Sequence, residues 1–387
     1  MSIKGGPHIE TDGLVLYYDV DNVDSYPGEP TTNIATDSLT QGGWSGAWSL
    51  VDSDTKTFLT DVRYTSVHNP WRSYYYSIAG QAGNTVTITC DYEVISEVSG
   101  SLNAFYLGQG NTGTYPNYIP GSGASNYSST TSNGPQRLTW TGVINAAEYI
   151  GWTMTGTGLT SGGIVTIQIS NWQVEVKSHA TPFVNGTRST TDGMKDLSGN
   201  NNDGDFVNDS FDSSAEITYD GTGWINMGNP SSCQVGANGT VEAWVYPTAN
   251  NWMYFLEKGY ASNNGLYLGH HSSYSTAWWF GTYDGGYKYM QWGAGTFELN
   301  KWHNVAITFD GALSSANFKL YHNGIYITSY SWTSDIMTNS SDITIGNRVG
   351  SGRGWHGKVD IIKISDVTLS AQKLLNNFNA LKGRFGL

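Results

Sequence analysis

The chain has 387 residues, length for two or three domains with a core apiece, and a formal charge of −13 with only 13% charged residues. That balance, with no basic run, excludes a duplex-binding surface built on clustered Lys and Arg, and no stretch reaches the ~20 apolar residues of a membrane span. Abundant Gly (48 residues) and aromatics (13%) predict an all-β protein of short strands joined by polar turns, and argue against a disordered chain.

Residues 12–18 read as a strand, and the run from Asp19 to Gly28 as a turn. A different texture starts at Thr31-Thr-Asn33. Strands are predicted at Thr85–Tyr92, Leu102–Leu107, Gln136–Val143 and Ile164–Val176. In the first of these Val86, Ile88 and Cys90 share one face, the pattern of a half-buried antiparallel strand. The Gly-, Asn-, Ser- and Tyr-rich segment from Gly108 to Gly134 is long enough for a functional loop. From Asp192 the first texture resumes, with short strands at Thr240–Val245, Asn251–Glu257, Leu266–Leu268, Ala277–Tyr283 and Trp302–Phe309. Asn323-Gly324, between two alternating runs, predicts a type I′ hairpin turn. One helix is expected near the end, capped by Ser370, stapled by Leu369 and Leu374, with Leu374, Leu375, Phe378 and Leu381 as its apolar stripe.

These patterns group into an interrupted domain. The stretch from Asp12 to Gly28, then Asp196-Leu-Ser-Gly-Asn200, Tyr219-Asp-Gly221 and Gly239–Tyr246, resembles a laminin-G-like jelly roll of the concanavalin A superfamily. The order continues through Lys301–Asp310, the hairpin, Ile343-Thr-Ile-Gly346 and Gly357–Ile364. The intervening segment, with its opening Thr32-Asn-Ile-Ala35, the nearby Trp44 and Trp48, and its exit Ile169–Arg188, resembles carbohydrate-binding-module-like jelly rolls of tailed-phage structural proteins. The ending Asn379–Leu387 resembles laminin-G-like virion proteins of large tailed phages. The expected organisation is two β-sandwich domains with one short C-terminal helix. Residues 1–30 and 187–387 form the outer domain and 31–186 the insert, so residues near 28 and near 192 should meet.

Catalytic chemistry finds little support. Glu242, Glu257 and Glu298 each lack an acidic partner two or four residues away, the strand spacing a glycosidase pair commonly uses. Gly108-Gln-Gly-Asn-Thr-Gly113 matches a dinucleotide-binding string, but Thr114–Pro120 cannot open the helix that site needs. His270 and His271 would point to opposite faces of a strand and so share no metal; they read as surface or turn histidines. For a calcium ion the resemblance implies a place beside the Asp-x-Ser-Gly-Asn loop, with Asp19, Asp196, Asn200 and Asp360 as ligands. The alternative is that Asp196 and Asn200 cap a turn while Asp360 pairs with Lys or a backbone amide.

Sugar rings stack their C–H faces on Trp or Tyr while polar side chains orient hydroxyls, so aromatics beside polar turns are the glycan-binding candidates. They are Trp252, Tyr254, Trp278, Trp279, Tyr283, Tyr287, Trp292 and Trp355 in the outer domain. In the insert they are Trp44, Trp48, Trp71, Tyr74, Tyr115 and Tyr118. Most should be core, since aromatics also fill sandwich interiors. If Trp278 and Trp279 lie on a strand, one faces outward.

With only Cys90 and Cys233, a disulfide framework is excluded, and the opening Met1–Pro7 lacks a signal-peptide core, so folding in a reducing cytoplasm is expected. The reading is a non-enzymatic surface protein of a tailed-phage virion, a head decoration or fibre or a tail-fibre component, assembled in the host bacterial cytoplasm. It would bind other virion proteins or host-surface polysaccharide, as a homo-oligomer or symmetric array. The rival readings are a cell-encoded carbohydrate-binding or glycan-degrading protein and a capsid cement that binds no sugar.

Overall fold

The computed structural model describes residues 9–37, 40–43, 46–63, 71–98, 101–109, 125–127, 135–146, 148–157, 163–208, 217–260, 262–272, 277–283, 285–293, 298–333, 335–348 and 350–387. Its described residues form antiparallel sheets with one α-helix, Ala371–Leu381, so the fold is all-β and jelly-roll-like. The chain divides into two units, Met1–Glu29 with Ser189–Leu387, and Pro30–Arg188. Each unit brings its own two ends together. Lys195 N–H donates to Ser25 C=O at 2.7 Å in the first, and Thr31–Thr32 pairs with Thr187–Arg188 in the second.

The first unit is a sandwich of two seven-stranded sheets. One runs Leu14–Asp19, His356–Ser365, Asn238–Pro247, His303–Asp310, Phe318–His322, Ile325–Tyr330, with Thr218–Asp220 also on His356–Ser365. The other runs Asp205–Val207, Trp224–Asn226, Ile343–Ile345, Met253–Lys258, Leu266–His271, Ala277–Tyr283, Tyr287–Trp292. Alternation dictates the core. Val241, Ala243 and Val245 face Phe255, Leu268 and Phe280 of the other sheet in one apolar cluster.

The opposite face of Asn238–Pro247 carries Glu242 and Trp244, both at most 1% exposed. The C-terminal segment covers them. Trp244 stacks on Phe385 and Phe378, with centroids at 4.1 and 5.7 Å. Glu242 meets Lys363 at 2.8 Å and accepts hydrogen bonds from Asn304 (3.0 Å) and Asn377 (2.8 Å). The helix itself is capped as its sequence predicts, Ser370 Oγ accepting from Lys373 N–H at 3.3 Å. Leu369 and Leu374 share a cluster with Ala306 and Tyr321. The hairpin turn also follows its sequence, with φ of +49° at Asn323 and +74° at Gly324; a Cβ on Gly324 would lie 3.0 Å from Phe378 Cβ.

The second unit is a sandwich of two five-stranded sheets, one ordered Gln136–Val143, Thr85–Val98, Ile164–Glu175, Thr57–Arg63, Gly46–Asp52. The expectation of a half-buried strand at Thr85 is corrected here. Thr87 and Thr89 are as buried as Val86, Ile88 and Cys90, because this strand lies between two others in its sheet and its second face is covered too. Thr87 Oγ1 donates to Lys177 C=O at 2.9 Å. The opening and exit motifs are fastened together. Asn33 donates to Trp172 and Val184 carbonyls and accepts from Val174 N–H, at 3.0–3.1 Å. Glu175 accepts from Thr31 Oγ1 and Thr181 Oγ1 at 2.7 and 2.5 Å. Cys90 and Cys233 are free and buried.

Removing one partner of a buried ion pair strands the other charge, at a cost of about 3–5 kcal/mol. Glu242→Ala is therefore expected to lower the unfolding free energy by that amount in a denaturant titration, against well under 1 kcal/mol for Lys301→Ala, whose bridge to Glu298 is exposed. Replacing Glu242 and Lys363 together by Met should recover much of the loss.

Candidate functional site

The outer face of the second sheet of the first unit concentrates aromatic side chains. Along its strands Met253, Phe255, Leu266, Leu268, Trp278, Phe280 and Met290 point into the core. Tyr254, Tyr267 and Trp279 point the other way and form a separate cluster with Tyr260 and Trp252. Two glycines make room for the rings. A Cβ on Gly269 would lie 2.9 Å from Tyr254 Cδ1, and one on Gly281 would strike the Tyr267 ring, so each tyrosine lies flat over a glycine of the adjacent strand. Trp279 stacks on Tyr289 with centroids 4.0 Å apart, and Tyr260 contacts Tyr267 and Tyr287, both at 4.8 Å. The outermost rings stay open to solvent, Tyr287 at 49% and Tyr289 at 39% exposure.

On the same face, across Trp224–Asn226, Ile343–Ile345 and Met253–Lys258, lies a cavity of about 290 Å³ lined by Trp224, Asn226, Glu257, Ser341, Asp342 and Thr344 among others. Glu257 accepts from Tyr260 N–H, and burial pushes its carboxyl above the usual range. From Trp224–Asn226 to Tyr287–Trp292 the face crosses six strands, on the order of 25 Å at ~4.8 Å per spacing.

Residues 346–355 carry two cations onto this surface. The loop leaves its strand at Gly346, where φ is +91° and a Cβ would collide with the Tyr219 ring. It returns through Trp355, fully buried, whose N–H donates to Gly346 C=O at 2.7 Å. Tyr254 N–H donates to Arg353 C=O at 3.0 Å, tying the loop to the sheet. The Arg348 guanidinium sits 3.5 Å from the Tyr260 ring centroid and that of Arg353 3.1 Å from Trp252, geometry suited to cation–π attraction.

The predicted glycan-binding residues separate on this framework. Trp279, Tyr283, Tyr254, Tyr287 and Trp252 belong to the outer face; Trp252 stacks on His271 at 3.8 Å, and Tyr283 meets Tyr287 at 5.1 Å. Trp278 and Trp355 are corrected to core positions at 0% exposure, because their inward register leaves no ring face for a ligand. Trp292 packs half-buried against the core, and Tyr74 is buried in the second unit. Tyr115, Tyr118 and Trp44 lie outside the described residues, as do the side chains of Trp48 and Trp71. Sequence reasoning missed Tyr260, Tyr289, Arg348 and Arg353. The paired glycines at 350 and 352 around Arg348 and Arg353 were the available signal for an exposed loop.

The proposed calcium ligands are engaged otherwise. Asp196 accepts from Tyr17 N–H and Ser198 N–H, both at 2.9 Å, and Asn200 donates to Leu14 C=O, so this loop closes on backbone. Asp19, Asp21 and Asp360 converge on Arg384, which supplies the positive charge there; the partner of Asp360 is arginine, where Lys or an amide was expected. Burial raises Asp360 to about 7 even so. Among the described residues no three His, Cys, Asp or Glu side chains are placed to hold a metal ion, so these four do not fit a cation.

His270 and His271 are corrected from surface to buried strand residues, on opposite faces of Leu266–His271. Of the acids weighed for catalysis, Glu242 is locked to Lys363, Glu257 to Tyr260 N–H, and Glu298 pairs with Lys301.

Residues 219–374 match the family model described as the concanavalin A-like lectin/glucanases superfamily, so this part of the chain is a domain of that superfamily. Similar solved structures include domain 4 of AbnA, an extracellular arabinanase from Geobacillus stearothermophilus, in complex with arabinotriose. It is 15% identical over 47% of this chain and 91% of that one, with a TM-score of 0.36. The binding domain of Paraclostridial Mosquitocidal Protein 1 is 20% identical over 49% of this chain and 50% of that one, TM-score 0.38. The botulinum neurotoxin serotype D binding domain is 16% identical over 50% and 48%, TM-score 0.38. The chain thus spans about half the length of the last two. No curated protein sequence matches the chain.

His270 gives this sheet a pH dependence. Its Nδ1–H donates to Asn251 C=O at 2.6 Å, and burial lowers its pKa from 6.5 to about 4. The unfolded chain then takes up this proton first as pH falls, so the stability held by the neutral ring is complete above about pH 6.5 and is lost toward pH 4. His270→Gln should destabilise the protein at pH 7.5. Its deficit relative to wild type should shrink by about 2 kcal/mol at pH 5, read from unfolding curves at both pH values.

Proposed function

We propose that the outer aromatic face of the second sheet binds a saccharide without catalysis, and that the protein is a surface component of a tailed-phage particle. The observation that carries the first part is the open ring array ending in Tyr287 and Tyr289 beside a polar groove, on a concanavalin A-like lectin/glucanases domain. Rings lying flat on a rigid sheet are pre-ordered for the C–H faces of sugars, which lowers the ordering cost of binding. Asn226, Ser341 and Asp342 supply donors and acceptors for hydroxyls in the groove. The absence of catalysis is supported by the engagement of Glu242, Glu257 and Glu298 in protein contacts.

The particle role rests on the resemblance of Ile169–Arg188 and Asn379–Leu387 to virion proteins. Other virion proteins and a symmetric array would then be the partners, and the virion the location. Electron microscopy of particles with an antibody to this chain tests that role; label absent from every particle would overturn it.

For the saccharide face, Tyr287→Ala with Tyr289→Ala should weaken binding about 10-fold or more by calorimetry or a printed glycan panel, with stability nearly unchanged. Trp278→Ala should instead cost about 3–5 kcal/mol of stability, as a core truncation. No binding to any bacterial surface polysaccharide would sink the saccharide reading and leave the capsid-cement one. Release of reducing ends from a bound saccharide would sink the non-catalytic reading.

A further inference from the structure

We infer that the loop carrying Arg348 and Arg353 makes the outer aromatic face selective for saccharides bearing an anionic group, a carboxylate or a sulfate. The inference rests on the saccharide reading above. The first unit holds only three arginines past Arg188, namely Arg348, Arg353 and Arg384, and Arg384 is consumed by three carboxylates. The other two lie on the aromatic face, and among the described residues neither has a carboxylate within ion-pairing distance. Glu257, an acid near Arg348, already accepts from Tyr260 N–H in a buried position.

A guanidinium stacked flat on a ring uses its face for that contact and keeps its N–H edge directed outward in the plane. That edge matches a carboxylate or sulfate with two parallel hydrogen bonds. The loop is held for the purpose. Trp355 roots one end in the core, Tyr254 N–H holds Arg353 C=O, and Ser351 Oγ donates to Arg348 C=O at 2.6 Å. Arg353 on Trp252 and Arg348 on Tyr260 therefore sit at fixed positions beside the rings that would take the sugar faces. A neutral sugar has no group to answer two such forks, and would leave them to water.

The test compares retention of three oligosaccharide classes on the full chain: oligogalacturonate for carboxylate, chondroitin sulfate oligomers for sulfate, and cello- and arabino-oligosaccharides as neutral probes. Arg348→Gln, Arg353→Gln and the control Lys301→Gln are measured beside wild type, with thermal unfolding to confirm the fold. The expected result is preference for at least one anionic class, lost about 10-fold in each arginine variant and unchanged in the control. Arg353→Lys should recover only part of it, since a point charge replaces a fork. Wild-type binding of the anionic class should also weaken between 0.05 and 0.5 M NaCl, a readout that needs no variant to fold. Equal or better binding of neutral oligosaccharides, indifferent to the arginine variants and to salt, would overturn the inference while leaving the saccharide reading intact. Failure to retain any of the three classes would overturn both.

Discussion

Glu242 and Lys363 face each other 2.8 Å apart with side chains at most 4% exposed, and the closure of the first unit depends on this pair. They sit on neighbouring strands of the first sheet, on the side away from the core. Two charges there are tolerable only if the remaining lone pairs are satisfied and water is kept out. Asn304 supplies one bond from within the sheet and Asn377 another from the helix. The carbonyl of Asn377 in turn accepts from Glu10 N–H at 2.7 Å, so one residue links helix, sheet and the N-terminal arm. Trp244, on the same strand, is sealed by Phe378 and Phe385. The polar network sets where the helix docks, and the stacked rings supply the apolar area.

A sandwich has two outer faces, and closure of this kind uses one of them. The C-terminal segment lies on the first sheet; the second sheet keeps its outer rings and arginines toward solvent. Its aromatic density would be a liability on a flexible surface, since large open apolar patches invite association. Here the rings lie over Gly269 and Gly281 or stack on one another, and the guanidiniums of Arg348 and Arg353 cover two of them. The result is a surface both apolar in its faces and hydrogen-bonding at its edges, which is also what a sugar ring presents.

Local signals in the sequence were enough for the hairpin at Asn323-Gly324 and the helix capped by Ser370, since turn and cap chemistry lie within a few residues. Alternation also placed Trp278 and Trp279 on opposite faces, but could not say which face was core. That depends on the other sheet, whose strands come from distant sequence. The same limit applied to polar residues. Thr87, Thr89, Gln173 and Glu175 alternate with apolar neighbours as if facing solvent, yet all are buried, because the segment after Glu175 folds back over them. Asp360 was recognised as an acid needing a partner, but Arg384 reaches it from beyond the helix, alongside Asp19 and Asp21. The arginine loop was invisible for a related reason. Nothing about Arg348 or Arg353 in sequence shows that Tyr260 and Trp252 will lie beneath them.

A net charge of −13 does not fix the sign of the field at this face. At physiological salt a charge is felt over about 8 Å, so only the groups around the rings matter to a bound sugar. Those groups are two guanidiniums and Glu257, and burial favours the neutral form of the acid. The same acidic balance excludes nucleic acid, because a duplex presents many phosphates and its binding needs positive charge along the whole track. A single carboxylate or sulfate on a sugar needs only one well-placed fork, while the rest of the affinity comes from ring faces that carry no charge. An acidic chain can therefore repel polyanions and still select for an isolated anionic group, provided its few arginines are held where the rings are.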